Sequence, residues 1–98
     1  MKPSKTQERN AAFFNALSHR RRQMLCEILL KQGSNGLPYG ALLYKSGLKT
    51  ATLAHHLRFM DQGGILKRKQ KGRETWISVD IAHLRNASIE FTQSVATV

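Results

Sequence analysis

The sequence predicts a mainly α-helical domain carrying one β-hairpin, with about five helices. Three observations predict it. Apolar residues recur at helical spacing in five segments, most clearly at Leu53, Leu57 and Met60. Glycines fall between those segments, at Gly33, Gly36, Gly47 and the Gly63-Gly64 pair. Around Gly72 the periodicity changes to the alternation of strands. At 98 residues the chain is one domain with a small core, a size at which dimerisation adds useful burial.

Residues 1–6 (MKPSKT) are polar, contain Pro3 and read as a disordered tail, with the domain proper over 7–95. A helix is expected from near Thr6, where Thr-Gln-Glu-Arg resembles a cap followed by a polar first turn. It carries Ala12, Phe13, Ala16 and Leu17 at helical spacing, with Phe14 beside them. Two adjacent phenylalanines exceed one narrow seam, so one ring can face the core while the other meets a second chain. Ser18 is the expected N-cap of a second helix, 19–32, whose stripe is Leu25, Ile28 and Leu29. Arg20, Arg21 and Arg22 fill its first turn, where the helix dipole disfavours cations. Phosphate would compensate them; plain solvation is the alternative.

Pro38 suits the first turn of a short helix over 38–46, with Leu42 and Leu43 on its apolar side and Gly47 ending it. The next helix lies within Lys49–Gly64. Leu53, Leu57 and Met60 form its seam, Thr50, Thr52, His55, His56 and Arg58 its outer face, and the glycine pair its left-handed end. A short helix, a glycine turn and a second helix with a polar face follow helix-turn-helix grammar. Two strand-like runs around Gly72 then form a hairpin with a basic tip, a wing. Trp76 on its second strand is expected to anchor it to the core. Asp80 is expected to cap a last helix, about 81–93, lined by Ile81, Leu84 and Phe91. The two terminal helices, through Phe13, Phe14, Leu84 and Phe91, are the expected dimer surface.

Charge narrows the function. Sixteen Lys and Arg stand against six Asp and Glu, a net charge of +10. Between Lys45 and Arg73 eight cations face a single acid, Asp61. Such clustering favours a polyanion, either nucleic acid or an anionic membrane. No apolar run reaches the ~20 residues of a membrane span, and no apolar segment follows the first lysines as in a signal peptide. Cys26 is the only cysteine, so no intrachain disulfide can form, and a cytoplasmic location is expected. No paired carboxylates, phosphate-binding glycine loop or Ser/His/Asp set suggests an enzyme.

Four stretches together resemble the ArsR/SmtB family of small winged helix-turn-helix repressors. They are Ala16-Leu17-Ser18 with arginines soon after, Gly47-Leu48 followed by KTATLAHHL, Gly64-Ile65-Leu66-Lys67-Arg68, and Lys71-Gly72-Arg73. The resemblance covers about residues 11–79. It implies a homodimer that binds an imperfect palindrome in double-stranded DNA and blocks transcription until an inducer releases it. The chain also departs from the family pattern. Lys49 replaces the usual cap Ser, and Ala51 and Ala54 stand where hydroxyls are common. Pro38 and Gly40 occupy the places of the Cys-x-Cys metal ligands. Asp80 and His83 lack the partner histidine of the last-helix zinc site. No metal or cofactor is therefore expected.

The expected DNA contacts are Lys49, Thr50, Thr52, His55 and Arg58 on the recognition helix. On the wing they are Lys67, Arg68, Lys69, Lys71 and Arg73. His55 and His56 point about 100° apart and do not form a chelating pair, so His56 is expected to pack within the fold. Cys26 reads as a small buried hydrophobe, with a thiol switch as the sharper alternative. A winged-helix module that docks an acidic protein is the remaining reading of the basic surface.

Overall fold

The computed structural model describes residues 1–96. Five helices run in chain order: α1 Lys5–Leu17, α2 Arg20–Leu30, α3 Tyr39–Ser46, α4 Thr50–Gln62 and α5 Ile81–Ala96. Three strands, β1 Leu37–Pro38, β2 Leu66–Lys71 and β3 Glu74–Val79, form one antiparallel sheet in the order β1-β3-β2. The hairpin is the expected wing. The two-residue β1 is an addition that the sequence did not announce. Pro38 ends that edge strand instead of opening a helix, and α3 begins one residue later.

The caps explain the other shifts. Ser4 and Gln7 form a reciprocal capping box, so α1 starts at Lys5, inside the segment expected to be tail. Ser18 does not cap α2; it closes α1, with its hydroxyl donating to the Asn15 carbonyl at 2.9 Å. His19 caps α2 instead, its Nδ1 accepting from the Arg21 amide at 3.0 Å. Asp80 caps α5 as expected, accepting from the His83 amide at 3.0 Å.

The core gathers Phe13, Leu25, Leu29, Leu42, Leu53, Leu57, Met60, Ile65, Ile77 and Val79 from every layer except the outer face of the sheet. Phe13 is only 2% exposed and meets His83 edge-on at 6.0 Å, so it is a core residue and offers no dimer surface. Phe14 is 40% exposed and meets Phe91 at 4.7 Å. Leu84 packs partly against the core, whereas Ile81, Ile89 and Val95 leave apolar surface open along α5. Cys26 is buried, and burial, then Glu27, pushes its thiol above the ordinary range. A reactive thiol needs access and a stabilised thiolate, and this position supplies neither. Among the described residues no helix is long and apolar enough to cross a membrane, and no cluster of three or more His, Cys, Asp or Glu could hold a metal ion.

Candidate nucleic-acid interface

Helix α4 carries the interface, and its two ends show how the sequence fixes it. At the start Lys49 stands in the cap position and makes no side-chain hydrogen bond to the helix. The first amides of α4 therefore lack an internal partner. At the other end the Ile65 amide donates to Met60 and the Gly64 amide to Asp61, at 3.2 and 2.9 Å. Gly64 adopts the left-handed conformation, with φ 73°. This is a Schellman stop, closed by the buried pair Met60 and Ile65.

The outer strip of α4 consists of Thr50, Ala51, Ala54, His55 and Arg58, all exposed. Thr52 is half-buried at its edge. His55 and Arg58 support one another, with Arg58 Nη2 3.4 Å from His55 Nδ1, and both lean on Phe59. Two small methyl groups thus lie in the middle of the strip, flanked by a hydroxyl, an imidazole and a guanidinium. Methyl contact with thymine is the base recognition such a strip favours. The preceding α3 ends with Lys45 in its last turn and Tyr44 at 88% exposure. Sequence reasoning passed over Tyr44, because it falls between the apolar positions of a short helix.

On the buried side α4 is locked to α2 by a polar contact. Arg22 is 6% exposed and His56 4%. Arg22 donates through Nη1 to His56 Nδ1 at 3.3 Å and through Nη2 to Ser18 Oγ at 3.2 Å. Its guanidinium lies 4.9 Å from the Phe59 centroid, while its Nε has no partner. Because guanidinium only donates, His56 Nδ1 must be unprotonated here. Burial, then the neighbouring His19 and Arg22, hold the His56 imidazole below its ordinary value of 6.5. Partial burial and then Arg22, Arg21 and Arg20 do the same for His19, whose ring lies 4.6 Å from that of His56. Of the three arginines in the first turn of α2, one is therefore structural. His56 packs inside the fold and leaves the outer face to His55.

The wing cations divide by strand parity. Register pairs Leu66 with Val79 and Arg68 with Ile77, whose partners are buried, so Arg68 lies on the core side of the sheet. There it donates to Asp61 at 2.6 Å and ties the hairpin to the end of α4. Arg68 is thus engaged within the fold and is not a free wing cation. Lys67, Lys69 and Lys71 lie on the opposite face with Trp76 and Ser78. Trp76 does not anchor the wing in the core: its ring carries the Lys71 ammonium at 4.0 Å on that outer face. Gly72 and Arg73 form the tip.

Solved structures share this arrangement. An ArsR-like transcriptional regulator from Rhodococcus sp. RHA1 superposes with a TM-score of 0.76 at 22% identity, over 96% of this chain and 86% of that one. A homodimeric winged helix-turn-helix DNA-binding domain from Mycobacterium bovis, described as a possible ArsR-family transcriptional regulator, gives 0.70 at 20% identity. That match covers 99% of this chain and 90% of the other. The transcriptional repressor BigR from Xylella fastidiosa gives 0.64 at 21% identity, over 90% and 88%. The fold is a winged helix-turn-helix. No protein-family model and no curated protein sequence matches the chain, so the agreement with winged helix-turn-helix regulators is one of fold.

Proposed function

We propose that the chain is a homodimeric, sequence-specific DNA-binding transcriptional regulator of ArsR type, acting as a repressor and lacking the Cys-x-Cys metal site. The observation that carries this reading is the exposed strip of α4, Thr50 to Arg58, presented beside a cationic hairpin on a scaffold shared with transcriptional regulators. In this reading α4 enters the major groove. Lys49 and Arg58 hold phosphates, while Thr50, Thr52 and His55, with the methyls of Ala51 and Ala54, meet base edges. Lys67, Lys69, Lys71 and Arg73 reach the backbone and the adjoining minor groove. Arg68 acts through Asp61, setting the angle of the wing to α4.

The exposed apolar residues of the terminal helices, Phe14, Ile89 and Val95 with the edge of Phe91, support a two-fold dimer. Two recognition helices related by a two-fold axis read a palindrome. Selection of bound sequences from a random duplex pool tests the reading. The expected result is an enriched palindrome with half-sites about one helical turn apart, 10–10.5 base pairs, or a multiple of it. Each protomer making about four phosphate contacts contributes about −4 to the slope of log affinity against log salt. Arg58→Ala should weaken operator and random DNA alike, whereas Thr50→Ala should change the preferred sequence. A pool with no enriched sequence would refute the regulator reading and favour an acidic protein as partner.

A further inference from the structure

The wing lysines on the outer face of the sheet also border a concave surface. A cavity of about 300 Å³ is lined by Lys67, Lys69 and Lys71 of β2, Trp76 and Ser78 of β3, and Ser34 and Asn35 of the 3₁₀ turn at Gly33–Asn35. Arg68 also borders it, but its guanidinium is turned to Asp61. We infer that this cup is a binding site for a small polyvalent phosphate, recognised through its pyrophosphoryl group by the three lysines.

The cup is built by the backbone. Gly36 has φ +69°, and a Cβ there would come within 1.9 Å of the Ile77 carbonyl oxygen. Only glycine lets the turn carrying Ser34 and Asn35 settle onto β3. The pleat then sets Lys67, Lys69 and Lys71 on one face, successive Cα atoms about 6.8 Å apart. Among the described residues none of the three has a carboxylate within 4.0 Å, since the single ion pair is Arg68–Asp61. Glu74, opposite Lys71 in the register, does not neutralise it at that distance.

The donor chemistry suits a compact, multiply charged anion. Lysine ammonium binds phosphate as a compact point charge, and three of them without a carboxylate partner among the described residues suit an anion that carries several charges in a small volume. Ser34, Asn35 and Ser78 add neutral donors. The volume lies at the lower end of small-molecule sites, which fits a diphosphate group better than a large cofactor. Lys67, Lys69 and Lys71 line the cup and are also the wing lysines assigned to DNA, so a filled cup competes with DNA for all three. The site itself does not depend on the regulator reading; its use as an effector site does.

Trp76 is the only tryptophan of the chain and lines the cup, so it reports occupancy directly. The intact protein, without DNA, is titrated with pyrophosphate and separately with ADP at constant ionic strength, exciting at the red edge of indole absorption. A saturable change in Trp76 emission is expected with pyrophosphate, weakened about tenfold in Lys69→Ala, the loss of one charge-assisted contact. Lys31→Ala, which removes an exposed cation outside the cup, should leave it unchanged. ADP binding as tightly as pyrophosphate assigns recognition to the phosphates; tighter binding brings the nucleoside into the site. Silence with both ligands, or equal weakening by Lys31→Ala, overturns the site. Displacement of a labelled operator duplex then tests effector use: failure to displace removes that role alone. A protein that binds pyrophosphate but no duplex refutes the regulator reading and leaves the cup standing.

Discussion

His56→Leu isolates the contact that ties α2 to α4. Leucine approximates the volume of the imidazole but offers no acceptor. The change strands Arg22 Nη1, which donates to His56 Nδ1 at 3.3 Å in a guanidinium already carrying one unpartnered nitrogen. A hydrogen bond from a charged donor contributes about 1.5–3 kcal/mol, and a buried charge left short of partners costs toward the upper end. About 2–3 kcal/mol is expected. Arg22→Met removes the charge together with its contacts. It loses the stacking on Phe59 at 4.9 Å, about 1–2 kcal/mol, but also relieves the guanidinium's desolvation. Its net cost should be about 0–1 kcal/mol. Adding His56→Leu to Arg22→Met should then cost less than about 1 kcal/mol, a coupling near 2 kcal/mol. Urea unfolding followed by far-ultraviolet circular dichroism at about pH 8 measures all four corners of the cycle, at one protein concentration because a dimer's stability depends on it. A His56→Leu cost that is the same in both backgrounds, within about 0.5 kcal/mol, would refute the reasoning.

Two further predictions concern stability. His56 and His19 are held below 6.5 in the folded chain, so the unfolded chain protonates first as pH falls. Their contribution is complete above about 6.5 and is lost as pH falls from there through the lowered folded values. The urea midpoint should drop between about pH 8 and pH 5.5, and His56→Leu should flatten that drop; an unchanged slope in the variant counts against His56 as its source. Gly63→Ala should destabilise although its φ of −79° suits alanine, because the new Cβ would lie 2.5 Å from Ala16 Cβ and 2.9 Å from the Ala12 carbonyl oxygen. Forcing α1 off α4 costs about 1–3 kcal/mol, or roughly 4–8 °C in Tm per kcal/mol, and a thermal melt within about 1 °C of the parent would contradict the packing.

The apolar skeleton was legible in the sequence, and the polar contacts of the interior were not. Leu53, Leu57 and Met60 announce α4 because apolar spacing is the signal that burial imposes. His56 completes the same stripe at i, i+3, i+4 and i+7, but as a polar residue it is invisible to a pattern of hydrophobicity. Its partner Arg22 looked like one of three equivalent cations; only the tertiary approach of α2 to α4 separates it from Arg20 and Arg21. The two-residue β1 has no room to show alternation. The exchange of cap roles between Ser18 and His19 turned on one residue of chain, finer than propensity resolves. Phe13 and Phe14 could be told to face different ways, but which one faced the core depended on where α5 returns.

The division of the wing cations differs in kind, because the sequence contains enough to derive it. Composition counts Lys67 to Arg73 as one basic cluster, and net charge is the same whichever way each side chain points. Ile77 and Val79, spaced by two, mark the core face of β3, which assigns Trp76 and Ser78 to the outer face. A tight turn at Gly72-Arg73 pairs Lys71 with Glu74, and counting outward pairs Lys69 with Trp76 and Arg68 with Ile77. The three lysines must then share Trp76's face, with Glu74 opposite Lys71, and Arg68 must lie beneath, where it meets Asp61. Charge clustering thus identifies the class of partner, while strand parity determines which cations are free to meet it. For this protein parity assigns Arg68 to holding the wing against α4 and leaves the lysines, with Arg73 at the tip, to bind the anion.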